Sequence, residues 1–249
     1  MAPESRTFRP TLAPAILAVA ALALVGCGGS SAPAPTPTSA APSSPPASPT
    51  ATTQATTAGK PTQAPPAGYQ WVASAAHIWL AVPDSWVVLN LNDMSLTQAM
   101  ERVRLKGQPA ITMLRAIGAL KRLHALMAVD IGSIAASPNK FATNVNSYCT
   151  TSLLQPGAGA ASAIASATRD QITQVGAHVV DIHIVTNTAN SVVVRIEDTL
   201  QVSSGVTVHQ IQYDELTSQG QICYTTFTTD RPARYFPLFA TIAATMHFG

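Results

Sequence analysis

Charged side chains are scarce in this sequence: Asp, Glu, Lys and Arg make up 10% of its 249 residues, and the formal net charge is +2. A nucleic-acid-binding protein needs a basic face that neutralises phosphates, so this composition argues against that class. The glycines form no nucleotide-binding fingerprint, and no Gly-x-Ser-x-Gly nucleophile elbow occurs. We therefore expect a protein that is not an enzyme and carries no cofactor.

The histidines and cysteines also lack the spacing that is typical of a metal site. None of the six histidines forms a tight ligand pair with a second histidine or a cysteine. Asp181 and His183 would share one face of a strand, which is an arrangement that a metal ion can use. A lone Asp-x-His on an edge strand is far more often a solvated face. The sequence predicts no metal site.

Long apolar runs are limited to one, from Thr11 to Gly26, which follows Arg6 and Arg9. This run is shorter than the roughly 20 residues that a membrane-spanning helix needs, and a basic start with a short apolar core predicts a secretory signal peptide over residues 1–26. Its last residues, Leu24-Val25-Gly26-Cys27, resemble a bacterial lipobox. The resemblance implies that Cys27 is acylated and begins the mature protein; the alternative is a chance match before a buried cysteine.

Residues 27–67 follow as a segment made almost entirely of Pro, Ala, Ser and Thr, with Lys60 as its charged residue. Such a segment cannot bury enough apolar surface to offset its ordering entropy, so we predict a disordered tether. It is either a bare spacer or an O-glycosylated one. Together with the lipobox, it predicts a cell-membrane location on the extracytoplasmic face, with a globular domain over residues 68–249.

The sequence contains three cysteines, and lipidation of Cys27 leaves Cys149 and Cys223. Two cysteines in an oxidising compartment commonly pair. Both lie in strand-like segments, so pairing requires neighbouring strands or facing side chains. The alternatives are a disulfide and two separate buried thiols.

The globular part begins with a predicted hairpin, in which strand 77–82, a turn at 83–85 and strand 86–89 follow one another. Ser95 with Gln98 forms a capping-box pattern that opens a helix ending at Gly107. Pro109 is well placed to open a second helix. The pattern then predicts a strand at 124–131, a loop at 130–140, a strand at 141–151 and a helix at 161–175.

A four-strand meander is the clearest β signal, and its strands are predicted at 178–186, 191–202, 206–215 and 221–228. The second strand alternates apolar and polar residues, which predicts one buried and one wetter face. Asp198 falls on the apolar face, so we expect a bulge or a buried partner there. A closing helix is predicted at 234–246, with Pro237 in its first turn.

Three sequence motifs and the order of the elements resemble one family. The motifs are Val82-Pro83-x-x-Trp86, Ala128-Val129-Asp130 and the segment from Phe141 to Asn146. They are similar to actinobacterial, mycobacterial-type lipoproteins of the LpqN/LpqT kind, which have the PsbP-like fold. The resemblance covers roughly residues 70–248. It implies an α+β domain, with a twisted antiparallel sheet flanked by helices in an α/β/α sandwich, and non-catalytic work near lipid-handling machinery of the envelope.

Two clusters are candidate binding features. The first is a basic stretch opposed only by Glu101, which suits anionic lipid headgroups or an acidic partner, or is an ordinary solvated face. Its members are Arg102, Arg104, Lys106, Arg115, Lys121 and Arg122. The second is Trp71, Trp79 and Trp86, which either belong to the core or a lid on the sheet, or line a site for an apolar ligand.

These observations predict a lipid-anchored, extracytoplasmic binding or accessory module that is held at the membrane by its lipid and presented to envelope proteins or lipids. One alternative is a carrier that encloses an acyl chain between the sheet and the helices. The other is an envelope hydrolase, since small α+β domains can host one.

Overall fold

A computed structural model of the chain describes residues 61–74, 78–105, 108–157, 159–187, 191–203 and 206–247. The signal peptide, Cys27, Lys106, His77 and most of the tether lie outside the described residues. The strands are β1 Tyr69–Ala73, β2 Trp79–Pro83, β3 Val87–Asn90, β4 Leu126–Asp130, β5 Thr143–Thr151, β6 His178–Asn187, β7 Ser191–Ser203, β8 Val206–Thr217 and β9 Gln221–Thr229. The helices are α1 Leu96–Val103, α2 Gln108–Arg122, α3 Gly132–Ala136, α4 Ala160–Gln174 and α5 Pro232–Ala243.

The strands form a seven-stranded sheet in the order β3-β4-β5-β9-β8-β7-β6 and a two-stranded sheet of β1 and β2. Every pairing is antiparallel. Helices α1, α2 and α4 cover one face of the large sheet through residues such as Val103, Ile117 and Ile164. Helix α5 and the β1–β2 hairpin cover the other face, around Phe227 and Phe239. The expected α+β architecture, an antiparallel sheet between two covering layers, is confirmed.

The predicted first hairpin is wrong. Strand β2 pairs with β1, which the sequence did not mark as a strand, and β3 joins the large sheet beside β4. The turn itself is present, because the Trp86 amide donates to the Pro83 carbonyl at 3.0 Å. The chain therefore leaves one sheet at this turn and enters the other. Local turn chemistry specifies the reversal but does not choose the partner strand.

Helix ends follow their local chemistry in most places. The capping box at the start of α1 is confirmed, with Ser95 and Gln98 each accepting a backbone hydrogen bond from the other. Helix α1 ends at Val103 rather than Gly107, because Arg104 takes the left-handed conformation with φ 53° and closes the helix. Residues 132–136, predicted as loop, form the short helix α3.

The C-terminal helix starts two residues earlier than predicted. It begins at Pro232, so Pro237 lies inside the helix rather than in its first turn. The proline ring occupies an exposed position on the outer side of α5, while Tyr235 and Phe239 face the sheet. Apolar packing of this face keeps the helix continuous despite the missing N–H group.

The meander is confirmed in number, order and pairing, with β6 to β9 adjacent in the sheet. The irregularity expected at Asp198 lies in the neighbouring strand. Val179 pairs with Asp198, and a register shift follows between Val179 and Asp181. Asp198 itself lies on the face that α1, α2 and α4 cover, and it is 2% exposed.

Cys149 and Cys223 face each other directly on β5 and β9 and form a disulfide. Of the two alternatives left by the sequence, the structure contains the bond between neighbouring strands. At the other end of the domain, residues 61–67, which their composition assigned to the tether, contact the folded part. The Gln63 carbonyl accepts a hydrogen bond from Trp71 Nε1 at 2.9 Å.

Candidate functional site

An open groove with a volume of about 1100 Å³ lies between the edge strand β3 and helix α1. Its apolar lining consists of Trp86, Val87, Val88, Met94, Val103 and Ile131. Its charged lining consists of Asp93, Glu101, Arg102 and Arg104. The groove thus combines an apolar strip with two cations, Arg102 and Arg104, and two anions, Asp93 and Glu101.

The edge position of β3 explains why the groove exists. Strand β3 pairs with β4 on one side, and no strand of the described sheet lies on its other side. The outward-facing Val88 carbonyl instead accepts a hydrogen bond from Arg102 Nη1 at 3.1 Å. Arg102 therefore lies across the sheet edge, and the left-handed turn at Arg104 places the second cation just beyond it.

The loop that closes one end of the groove is held by its own hydrogen bonds. Asn90 Nδ2 donates to Asp93 Oδ2 at 2.9 Å, and the Met94 amide donates to the Asn90 carbonyl at 3.2 Å. Lys121 Nζ reaches over from α2 and donates to the carbonyls of Met94, at 2.7 Å, and Leu91, at 3.2 Å. Two helices and a strand thereby fix the shape of the site.

The predicted basic cluster is divided by the fold. Arg102 and Arg104 line the groove, whereas the Lys121 ammonium group donates hydrogen bonds to carbonyls of the adjoining loop. Arg122 Nη1 donates to the Gly118 carbonyl of its own helix at 3.2 Å. Arg115 lies on the exposed side of α2, outside the lining of the groove. The sequence grouped these cations as one basic stretch, but α1 ends at Val103, and among the described members Arg102 and Arg104 line the groove.

The three tryptophans also separate. Trp86 is 4% exposed and lies beneath the groove, where it packs with the core under α5. The Trp71 ring meets the His247 ring edge-on with centroids 5.7 Å apart. Trp79 forms a backbone bridge with His247, with both N···O distances 2.8 Å. Trp71 and Trp79 thus hold the start and the end of the described domain together.

The face of the sheet that α1, α2 and α4 cover carries a buried polar network that the sequence did not indicate. Asp214 is 0% exposed; its Oδ2 accepts from Thr168 Oγ1 of α4 at 2.6 Å, and its Oδ1 accepts from Gln212 Nε2 at 2.7 Å. Thr226 Oγ1 donates to Gln212 Oε1 at 3.1 Å. A polar network thus lies among the apolar side chains between α4 and the sheet, where an acyl chain would need an apolar cavity.

Three carboxyl groups of the meander are buried: Asp198, Asp214 and Glu215. Burial raises the pKa of each to about 7, with the hydrogen bonds from Thr168 and Gln212 opposing the shift at Asp214. Asp198 Oδ1 and Glu215 Oε2 have no hydrogen-bond partner. Only Asp198 was visible in the sequence, as a break in the alternation. The sequence singled out neither Asp214 nor Glu215, which are adjacent in β8 and lie on opposite faces of the sheet.

Asp181 and His183 share a strand face as predicted. His183 Nδ1 lies 2.9 Å from Asp181 Oδ2, and Arg195 Nη1 lies 3.6 Å from the same oxygen. The hydrogen bond from His183 is the main cause that lowers the pKa of Asp181. Within the described ranges, no group of three or more metal-ligating side chains comes together.

No described helix is both long enough and apolar enough to cross a membrane.

Comparison with known proteins gave similarities to solved structures and no sequence family. No family model matches the chain, and no curated protein matches it. The chain is similar to the solution structure of cyanobacterial PsbP (CyanoP) from Synechocystis sp. PCC 6803, with 13% identity and a TM-score of 0.42. The match covers 77% of this chain and 98% of that chain. The architecture given above rests on the strand order and the two covered faces.

Proposed function

We propose that this protein is a lipid-anchored, extracytoplasmic binding or accessory module of the cell envelope, and that the β3–α1 groove is its binding site. The observation that carries the proposal is the groove itself, in which Arg102 and Arg104 lie beside an apolar strip that includes Val87 and Val88 of β3. The lipobox at Cys27 and the resemblance to LpqN/LpqT-type lipoproteins support the location. The proposed module is not an enzyme.

The chemistry of the groove suits an anionic amphiphile. Asp93 and Glu101 balance the formal charge of the lining, so the attraction for a phosphate or carboxylate is local to the two guanidinium groups. Guanidinium geometry allows bidentate hydrogen bonding to either group. The adjoining valines, Met94 and Trp86 offer apolar contact to the part of the ligand next to its charge. We therefore favour an anionic lipid over an acidic protein segment, which would not need the apolar strip.

Vesicle flotation tests this assignment. The probe is the full chain carrying Cys27→Ala, so that no acyl chain contributes, with phosphatidylglycerol–phosphatidylcholine vesicles at low ionic strength. Each basic residue near an anionic surface contributes about 1 kcal/mol, so the pair Arg102→Gln and Arg104→Gln should weaken binding about thirtyfold. The matched control is the pair Arg122→Gln and Arg169→Gln, which removes the same charge outside the groove.

The outcomes separate three explanations. Weakening by the groove pair with little effect of the control pair supports the groove as the lipid site. Equal weakening by both pairs means that overall charge drives binding, which contradicts the groove. An unmodified groove that binds no anionic vesicle contradicts the lipid ligand and favours an acidic protein partner.

A carrier that encloses an acyl chain is not favoured by the described interior. The layer under α4 contains the Asp214 network beside buried apolar side chains such as Ile164, and the layer under α2 contains buried apolar side chains such as Ile117. The open shape of the β3–α1 groove suits surface recognition of a headgroup.

A further inference from the structure

The Cys149–Cys223 disulfide is asymmetric. Cys223 is 3% exposed, whereas Cys149 is half-buried and lies nearer the solvent. A nucleophile from solution therefore reaches the Cys149 sulfur more easily, and the Cys223 sulfur becomes the leaving group. A thiolate formed at a buried, apolar position is costly, so departure of the Cys223 sulfur needs a proton donor close by.

Backbone pairing between the two strands extends well beyond the disulfide. Strands β5 and β9 pair from Asn144 with Thr228 to Thr151 with Gln221, on both sides of the disulfide. A disulfide acts mainly by restricting the unfolded chain, so its reduction leaves the native ladder able to persist. Reversible opening within the folded protein is compatible with this placement.

A buried acid stands on the next strand. Glu215 of β8 pairs directly with Cys223 of β9, which places both side chains on the same face of the sheet. Directly opposed residues have Cβ atoms roughly 4.5–5.5 Å apart. Glu215 is 5% exposed; its Oε1 accepts from Ser191 Oγ at 2.9 Å, and its Oε2 has no partner.

The protonation of Glu215 follows from its burial. Burial raises its pKa to about 7, and the hydrogen bond from Ser191 opposes the shift. The group is therefore mostly protonated below about pH 7. The titratable or charged residues on this face, on β7, β8, β1 and α5, are Arg195, Glu197, His209, Tyr213, Tyr69, Arg234 and Tyr235. Arg195 and Glu197 are paired with each other at 3.0 Å.

We propose that Cys149 and Cys223 form a redox-active disulfide that exchanges with a dithiol, and that Glu215 supplies the proton to the Cys223 sulfur. One thiolate of the dithiol attacks the Cys149 sulfur, the Cys149–Cys223 bond breaks, and its electron pair goes to the Cys223 sulfur, which takes the proton of Glu215. The second sulfur of the dithiol, as a thiolate, then attacks the first sulfur of the dithiol, which is bonded to Cys149 in the mixed disulfide. This step releases Cys149 as a thiolate. The dithiol is oxidised to its disulfide, and the protein disulfide is reduced by two electrons.

The test is the rate of reduction of the full chain carrying Cys27→Ala by dithiothreitol, followed by alkylation and mass measurement and divided by the dithiothreitol thiolate concentration at each pH. The normalised rate should be higher below about pH 7 than above it, because Glu215 is then protonated. Glu215→Gln should lower the rate at about pH 6 by about tenfold or more and have little effect at about pH 8.5, since general acid catalysis commonly contributes about a hundredfold or more.

Asp198→Asn is the matched control. Asp198 is as buried as Glu215 and has the same raised pKa, but it lies on the opposite face of the sheet from the disulfide. The control should reduce at the rate of the parent chain. Equal slowing by both substitutions, or a flat pH profile of the parent chain, overturns the proposal. Loss of far-ultraviolet circular dichroism on reduction overturns it as well, because the exchange requires the reduced chain to stay folded.

Discussion

The Tyr235 hydroxyl donates a 2.7 Å hydrogen bond to Asp130 Oδ2 and so joins helix α5 to the end of strand β4. Asp130 Oδ1 also accepts from the Ser133 amide at the start of α3, at 3.2 Å. Arg231 Nη2 lies 3.2 Å from the Tyr235 hydroxyl. One carboxylate thus ties together a strand, a short helix and the C-terminal helix that covers the core.

Tyr235→Phe should lower the free energy of unfolding by about 1.5–3 kcal/mol, the usual range for a hydrogen bond to a charged group. Urea denaturation measures the change. In a double-mutant cycle with Asp130→Asn, the two losses should add to more than the loss in the double variant, since both substitutions weaken one interaction. Additive losses would show that the hydroxyl and the carboxylate act independently.

Stability should fall as pH rises from mildly acidic to neutral. The folded-state pKa values of Asp198, Asp214 and Glu215 are raised to about 7 from ordinary values of 3.8 and 4.5. Between these values the folded chain binds more protons than the unfolded chain, so an increase in pH lowers the free energy of unfolding. The contribution is complete below the ordinary pKa values and is lost as pH passes about 7.

Thermal denaturation across this pH range measures the effect. Asp198→Asn should reduce the decline, because it removes one of the three titrating groups. A melting temperature that is constant or rises between about pH 5 and pH 8 would contradict the assignment.

Lys121→Met should loosen the loop beside the groove. Nζ of Lys121 donates to two carbonyls, those of Leu91 and Met94, and the substitution removes both charge-assisted hydrogen bonds. We expect a loss of about 1.5–3 kcal/mol in urea denaturation. Arg122→Met is the control: its exposed side chain bonds to its own helix, so its loss should stay near 0.5 kcal/mol or below. Equal losses would contradict a special role for Lys121.

Thr168→Val tests the buried network under α4. The valine keeps the shape of the threonine but removes the donor to Asp214 Oδ2, and a hydrogen bond to a buried acid is worth about 1–3 kcal/mol. Because that hydrogen bond lowers the pKa of Asp214, its loss should also raise this pKa further. Thr173→Val on the same helix is the control, since the Thr173 hydroxyl is exposed and bonds to the Arg169 carbonyl. Similar losses of unfolding free energy in both variants would contradict a stabilising role of the buried network.

Cys27→Ser tests the proposed anchor. In the native host, the parent chain should sediment with membranes, and its N-terminal peptide should carry the mass of acyl chains on Cys27. The variant should lose both properties, because stable anchoring by lipid requires covalently attached chains. A parent chain with unmodified Cys27 would contradict the location proposed for the protein.

Much of the secondary structure could be predicted from short stretches of sequence. The capping box at Ser95 and Gln98, the stop at Gly176 with φ 79° and the alternation along β7 all match the structure. Each of these signals acts between residues that are close along the chain. The short helix α3 was missed because its five residues carry little periodicity, and its start depends on the Asp130 carboxylate.

The candidate site could be predicted only in part. The cationic residues Arg102 and Arg104 were recognised, but the groove depends on β3 lying at the sheet edge, and no local pattern specifies that position. The same holds for Asp214 and Glu215, two adjacent acidic residues that lie on opposite faces of β8 and that no local pattern marks as buried. Their burial depends on what α4 and the neighbouring strands bring to each face.

Periodicity, caps and turn residues were therefore enough to specify the helices, the meander and the α+β class, since these act over a few residues of backbone. The partner of β2, the pairing of Cys149 with Cys223 and the placing of Lys121 over a loop were decided when distant segments packed together. The free energy of those contacts comes from burial and hydrogen bonding between elements far apart in the chain, which no stretch of sequence contains by itself.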